Sequence, residues 1–456
     1  MAIKLFPAIL LGCLIFSSCS AQEKGKYMDD KKVFDEFSTS LKNELVDVWY
    51  PRTIDSIYGG FLSDFDYKWE MKGPQNKMIV TQSRHVWTSS TLAEFYPERK
   101  DYFLKIASHG IHFLKDKMWD PKLGGFFTLV DQQGNVLKSG KSDRVMKEAY
   151  GNAFAIYGLS AYIRQTNDTS ALSLAKKAFL WLDKHSYDPQ FGGYFQFMEA
   201  DGTPLKQGFQ GVPPKDQNSS IHLLEAFTEL YRVWPDPLVK ERLLMMLGLV
   251  RDRITTPKGH LQLFLNQDLT PVSYRDSAED VRKKQWNFDH ISYGHDVETA
   301  YLMLEASEIA GLKNDTLTLR KAKKMVDHSL KSGWDKTVGG FYEAGYYFKG
   351  QDSVTVIKDT KNWWAQAEGL NALLMMFELF PNDPRNYKSL FLKEWEYIKT
   401  YLIDHEHGDW YPGGIDKEPG EKLAMKAQIW KGNYHNSRSL MNCMKRLKSK
   451  SSGLKN

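Results

Sequence analysis

The sequence predicts an all-α fold: an (α/α)6 barrel of six helical hairpins, with short β-hairpin loops at its mouth. Two observations carry that expectation. One is a turn that repeats along the chain. The other is a helical pattern of apolar residues on both sides of each turn. The repeating turn is a glycine pair followed by an aromatic or apolar residue: Tyr58-Gly59-Gly60-Phe61, Leu123-Gly124-Gly125-Phe126, Phe191-Gly192-Gly193-Tyr194, Val338-Gly339-Gly340-Phe341 and Pro412-Gly413-Gly414-Ile415. The first glycines lie 65, 68, 147 and 74 residues apart, and the long interval, Gly192 to Gly339, is about two periods, so it holds a degenerate copy. That copy is expected near Pro257-Lys258-Gly259-His260-Leu261, where the second glycine is lost. Six units result, several introduced by Trp-Asp or Tyr-Asp, as in Trp119-Asp120, Tyr187-Asp188 and Trp334-Asp335.

Each unit carries one helical pattern before its glycines and one after the following loop. In 101–118, Phe103, Ile106, Ala107, Gly110, Phe113 and Leu114 recur at helical spacing. The same reading places helices at 31–48, 83–96, 101–118, 147–164, 170–186, 217–233, 237–254, 294–310, 317–332, 363–380, 386–403 and 426–447. Strands such as Gly125 to Val130 are expected in the loops. Hairpins in series close into a double ring, odd helices outside and even helices inside; an open solenoid is the alternative.

The chain has 456 residues, 42% hydrophobic and 13% aromatic, enough for a large core. Two ordinary domains would suit that length, but the repeats favour one toroid spanning 31–447. A basic tail, 448–456, follows it. Net charge is +5, from 61 basic and 56 acidic residues, too small and dispersed for a nucleic-acid partner. The 13 Trp and 23 Tyr suit sugar stacking and equally suit core filling.

The first residues read as an export signal. Lys4 precedes an apolar stretch, Leu5 to Phe16, too short to span a bilayer. Ser17-Ser18-Cys19 resembles a bacterial lipobox, with Phe16 where Leu is usual. On that reading 1–19 is a lipoprotein-type signal, Cys19 is lipidated, and 20–30 is a polar tether. Cleavage after Ala21 is the competing reading, and both export the protein to the cell envelope. Cys443 is then expected as a buried thiol, with no disulfide framework. The membrane is reached only through that lipid, and a monomer is expected.

The unusual residues gather near the starts of the even helices: Arg84, Tyr150, Asn218 with His222, His295 with Glu298, Trp363-Trp364 with Glu368, and Trp430, His435 and Arg438. In a closed ring those ends meet at one mouth, where helix N-termini favour developing negative charge. A lone histidine is usually structural. Three at one end of three inner helices point to acid–base chemistry near neutral pH. Arg84 has a competing reading as a core ion pair with Glu298 or Glu368. The tryptophans could be barrel packing. His295 and Glu298 alone are too few for a metal centre. There is no P-loop and no dinucleotide glycine fingerprint. No cofactor and no metal are expected.

Arg84-His85-Val86-Trp87-Thr88, Glu148 to Phe154, Asn218 to Ala226, Ser292 to Glu298, Trp363 to Glu368 and Trp430 to Arg438 together resemble the N-acylglucosamine 2-epimerase superfamily, and within it the cellobiose 2-epimerase branch. The resemblance runs from about 31 to 447. It implies an (α/α)6 barrel that opens a reducing-end aldose, removes the C2 proton through a cis-enediol and returns it to the other face. It implies His295 and His435 as the two acid–base residues and His222 as the aid to ring opening. Glu298 would orient His295. Arg84, Tyr150, Asn218, Trp364, Glu368 and Trp430 would bind the sugar, a β-1,4-linked disaccharide such as cellobiose or mannobiose. Two positions depart from the branch: Ser220 stands where its first histidine is usual, and Asn433 where proline is usual.

Other activities stay open at this level. A mannose isomerase or an N-acylglucosamine 2-epimerase would share the barrel. An inverting glycoside hydrolase needs two carboxylates flanking the bond, and the mouth offers histidines more than paired acids. A non-catalytic sugar-binding lipoprotein has no use for His295 with His435.

Overall fold

A computed structural model describes residues 30–138 and 143–453. The signal peptide, Cys19 and the tether up to residue 29 lie outside the described residues, as do 454–456. Twelve helices make the barrel. The outer ones are α1 (Asp30–Thr39, continued through Ser40–Val46 and Asp47–Trp49), α3 (Lys100–Phe113, continued through Leu114–Met118), α5 (Thr169–His185), α7 (Pro237–Leu249, continued through Val250–Ile254), α9 (Thr316–Ser332) and α11 (Tyr387–Tyr401). The inner ones are α2 (Ile79–Phe95), α4 (Ala149–Thr166), α6 (Gln217–Val233), α8 (Tyr293–Ile309), α10 (Trp363–Leu379) and α12 (Tyr434–Gly453).

The two rings differ in composition for a physical reason. An inner helix has neighbours on every side. All residues of α2 from Ile79 to Ala93 are buried, and no apolar stripe stands out in it. Outer helices bury one face, as Leu174, Ala175, Ala178, Phe179 and Leu182 do in α5. Each inner helix packs on the next: α2 on α4, α4 on α6, α6 on α8, α8 on α10, α10 on α12, and α12 back on α2. The ring is closed, and the solenoid reading is excluded. At the seam, Trp395 Nε1 donates to Glu36 Oε2 at 2.6 Å and Phe37 meets the Trp395 ring edge-on at 4.6 Å.

Short antiparallel ribbons surround the N-terminal ends of the inner helices. Strands β1 (Lys77–Met78) and β2 (Leu129–Val130) pair, as do β3 (Met146–Glu148) with β4 (Phe197–Glu199) and β5 (Lys215–Asp216) with β6 (Phe264–Leu265). Strand β7 (Ile291–Ser292) pairs with β8 (Ala344–Tyr346), and β8 with β9 (Thr355–Lys358). Most of these are not the local hairpins expected. Each ties the entry of one inner helix to the loop of the next unit, with two helices between the paired strands. The expected strand 125–130 shrinks to Leu129–Val130, with Phe126 bridged to Trp119.

The glycine turns hold these ribbons in place. Gly124 and Gly125 take φ of 73° and 74°, a region costly for other residues. A Cβ on either would also strike the Trp181 ring. A lysine two residues before an inner helix reaches back into the turn. Lys77, Lys147, Lys215 and Lys361 donate to Asp55, Asp120, Asp188 and Asp335 at 2.8, 2.8, 2.8 and 2.9 Å. Lys147 also donates to the Gly124 and Ala200 carbonyls, so its buried ammonium is fully satisfied. In the fourth unit both partners are gone together: Thr256 stands at the aspartate and buried Ile291 at the lysine.

The structure corrects three details of the sequence reading. The sixth turn is not Pro412-Gly413-Gly414 but Asp404 to Trp410, where Gly408 and Asp409 take positive φ and Lys426 pairs with Asp404 at 2.6 Å. Helix α12 begins at Tyr434 rather than 426, because Gln428 to Lys431 form a bridged turn. It also runs to Gly453, into the segment read as a tail. A short helix, Glu279–Gln285, lies in the loop before β7 and was not foreseen. Among the described residues no helix is long and apolar enough to cross a membrane.

Candidate active site

The six inner helices deliver their first two turns to one place. Arg84 comes from α2, Tyr150 from α4, Asn218 and His222 from α6, His295 and Glu298 from α8, Trp364 and Glu368 from α10, and His435 from α12. Ring contacts link them. The His222 ring lies 5.3 Å from Tyr150 and 4.6 Å from Phe154. Trp364 lies 4.6 Å from His295 and 5.8 Å from His435. Arg84 donates to the Tyr150 hydroxyl at 3.2 Å and the Trp430 carbonyl at 3.4 Å, with its guanidinium over the Phe154 ring at 4.5 Å.

The three histidines share one arrangement. Nδ1 is anchored, which leaves Nε2 to face outward. His222 Nδ1 meets Glu225 Oε2 at 2.8 Å, His435 Nδ1 meets Glu368 Oε1 at 2.8 Å, and His295 Nδ1 meets Ser292 Oγ at 2.7 Å. A carboxylate accepting from Nδ1–H puts the lone pair on Nε2, as a base requires.

Behind the histidines sits a buried hub. Arg438 Nη2 donates to Glu298 Oε1 and Glu368 Oε1, each at 2.6 Å. Arg438 Nη1 donates to Glu225 Oε1 and also contacts the Tyr434 hydroxyl at 2.5 Å. Tyr434 in turn donates to Glu225 Oε1 at 2.8 Å. One guanidinium therefore joins three carboxylates, two of which hold histidines. Burial pushes the Glu225 carboxyl up, but Arg438 and His222 outweigh it and hold it at about 2. Glu298, Glu368 and His435 lie close enough to suggest a cation site, and the Arg438 guanidinium is the cation bonded to both carboxylates.

The structure departs from several of the expected roles here. Glu298 was expected to orient His295. It is bonded to Arg438 instead, one layer deeper, and its nearest imidazole is His435 at 3.9 Å. Sharing a helix face was not enough, because a buried carboxylate goes to the available guanidinium. Glu368 was expected to bind sugar; it is buried and holds His435. The ion-pair reading of Arg84 also fails, since no carboxylate lies in salt-bridge reach of it among the described residues, and Arg438 takes that role. Trp430 is not on α12 but in the preceding turn, 46% exposed at the mouth. Asn218 is half-buried and close enough to the Tyr150 hydroxyl to oppose the upward push of burial on it. Glu225 and Ser292, to which the sequence assigns no role, anchor His222 and His295. Cys443 is buried as expected.

Burial lowers His295 to about 3, with His222, His290, His435 and the Arg84 charge adding to the effect. Burial also holds His435 well below the usual range, with Arg84 and Arg438 adding to it and Glu298 opposing. Both are therefore neutral at pH 7. Acid removes the base form only below the ordinary histidine value of about 6.5. We expect kcat/KM to stay flat as pH falls through 6.5 and to drop at lower pH. A pH–rate profile whose acid limb sits at or above 6.5 would contradict this environment.

Fold and site together define an (α/α)6-barrel enzyme of the epimerase class. The sequence profile of N-acylglucosamine 2-epimerase (GlcNAc 2-epimerase) matches residues 59–437, and the chain belongs to that family. It is 26% identical over 421 residues to a cellobiose 2-epimerase of Bacteroides fragilis, covering 90% of this chain and 98% of that one. It is 27% identical to a cellobiose 2-epimerase of Dictyoglomus turgidum, covering 92% and 100%. Among solved structures, the cellobiose 2-epimerase of Spirochaeta thermophila superposes with a TM-score of 0.77 at 26% identity, covering 92% and 98%. A D-mannose isomerase at 21% identity and TM-score 0.73 shares the fold.

Proposed function

We propose that this epimerase interconverts glucose and mannose at the reducing end of β-1,4-linked disaccharides, converting cellobiose to glucosyl-mannose. The observation that carries this reading is the set of three imidazoles with Nδ1 anchored, beside an arginine that pairs with no carboxylate among the described residues. A proton alpha to an aldehyde is weakly acidic, so its removal needs a neutral base and a cation for the enediolate. His295 and His435 flank Trp364 and supply one base for each face of C2. Arg84 faces the sugar oxygens, and His222 moves the proton on the ring oxygen as the sugar opens and closes. The exposed Trp430 offers the second sugar a stacking face, worth about 0.5–1.5 kcal/mol by analogy with aromatic pairs. The similarity to the cellobiose 2-epimerases supports this substrate over free mannose.

Incubation with cellobiose, followed by chromatography of the products, tests it. Glucosyl-mannose is expected, with mannobiose and lactose as further substrates. If free mannose or N-acetylglucosamine turns over well and cellobiose does not, the disaccharide reading is wrong. Ketose as the main product would make the enzyme an isomerase.

We further propose that the enzyme is a monomer, and that a lipid on Cys19 holds it to the cell envelope, a reading that the segment 1–19 supports. Cys19→Ser is expected to move it from the membrane fraction to the soluble fraction. A soluble parent protein would favour cleavage after Ala21.

A further inference from the structure

The barrel has a second end. Beyond the Arg438 hub, the C-terminal halves of all six inner helices enclose another cavity of about 610 Å³, inside the range of small-molecule sites. We infer that this far mouth is a second binding site for a neutral polyhydroxylated ligand of mono- or disaccharide size. It goes beyond the proposed function and does not depend on it.

Three observations carry it. The first is the wall nearest the hub. Trp87 and Tyr157 stack with their planes 12° apart and both line the cavity. Such a wall gives a sugar ring an apolar face. The second is charge. Arg164, Arg232, Glu229 and Glu305 line the cavity as an alternating network, with Arg232 and Glu305 at 2.8 Å. Glu308, Lys445 and Arg446 line the cavity too, and Lys445 and Arg446 are paired with Glu94 and Glu378 at 3.0 and 2.5 Å, so the cations are held in ion pairs and the wall presents fixed donors and acceptors more than free charge. The third is unmet hydrogen bonding. Thr91 Oγ1, Arg164 Nε and Glu229 Oε1 are buried without a hydrogen-bond partner. Arg164 Nε and Glu229 Oε1 lie 3.1 Å apart as an ion pair, out of line for a hydrogen bond. Buried polar groups are nearly always paired, and hydroxyls, which both donate and accept, suit this mixture.

The far mouth also touches the catalytic machinery. The Tyr157 ring stands perpendicular to Tyr434 at 6.2 Å, and Tyr434 donates to Glu225, which anchors His222. A ligand against Tyr157 would rest on the back of that chain.

The test is calorimetric titration of the full-length His295→Ala protein, which turns the sugar over far more slowly than the parent, with cellobiose and separately with glucose. Two binding events are expected. Adding Arg232→Ala and Glu305→Ala, both on partly exposed side chains, is expected to weaken one event at least tenfold and leave the other unchanged. The milder Glu305→Gln is expected to weaken the same event and serves if the double variant unfolds. A single event in the His295→Ala protein, or two events unaffected by the far-mouth variants, overturns the inference. Turnover of cellobiose by the parent enzyme is measured separately, so failure here leaves the proposed activity standing.

Discussion

His295→Ala and His435→Ala are each expected to lower kcat by roughly 10²–10⁴-fold, the usual weight of a positioned acid–base group. The loss should not come from unfolding. His295 is hydrogen-bonded through Ser292 alone among the described residues, and His435 leaves Glu368 still bonded to Arg438. Inversion at C2 needs a base on either face, so each variant should lose net epimerisation. In deuterated water the parent enzyme should place deuterium at C2, since an imidazole proton exchanges with solvent before it returns. Full activity in either folded variant removes the two-base mechanism. Deuterium found only at C1 replaces epimerisation with isomerisation.

Arg438→Met should be the most damaging single change to stability. It removes the one cation among Glu225, Glu298 and Glu368, all buried. Removing one partner of a buried ion pair costs about 3–5 kcal/mol, and here three carboxylates lose it together. Denaturant unfolding should show that loss, and kcat should fall with it, because Glu225 and Glu368 hold His222 and His435. Arg438→Lys should recover little of either. An ammonium is a compact point charge and lacks the fork that reaches three carboxylates at once. Parent-like denaturation of Arg438→Met would mean that the carboxylates are neutral and the hub is not held by charge.

The repeat and the helix pairing were legible because they are local. A glycine turn and a helical apolar period each occupy a few residues, and the barrel follows from counting them. The sixth turn misled because Pro412-Gly413-Gly414 copies the letters, while the turn itself uses Gly408 and Asp409. Aspartate tolerates positive φ better than most residues, so the second glycine was dispensable there. The histidines were legible from their place at helix starts. Two of their anchors, Glu225 and Ser292, sit three residues from His222 and His295 and were readable in principle; Glu368 meets His435 across 67 residues, and Arg438 meets Glu225 across 213 and Glu298 across 140, separations that no local pattern bridges. Periodicity puts His295 and Glu298 on one face and is silent on which charge waits deeper in the barrel. The lysine–aspartate clasps were readable in principle. A lysine two residues before four of the inner helices is a periodic signal, and its loss at Ile291 coincides with the degenerate fourth turn.

The seam between α1 and α11 has a kinetic meaning. Hairpins of neighbouring helices form from contacts close in sequence and should form early. Glu36 and Trp395 are 359 residues apart, so their bond waits for nearly the whole chain. The entropy of so long a closure grows only logarithmically with length, so the seam costs time more than stability. Until it closes, the partly made protein is an arc with its inner helices unpaired at both ends. The chemistry waits on the same event, because Arg84 and His435 come from helices that meet only when the arc becomes a ring.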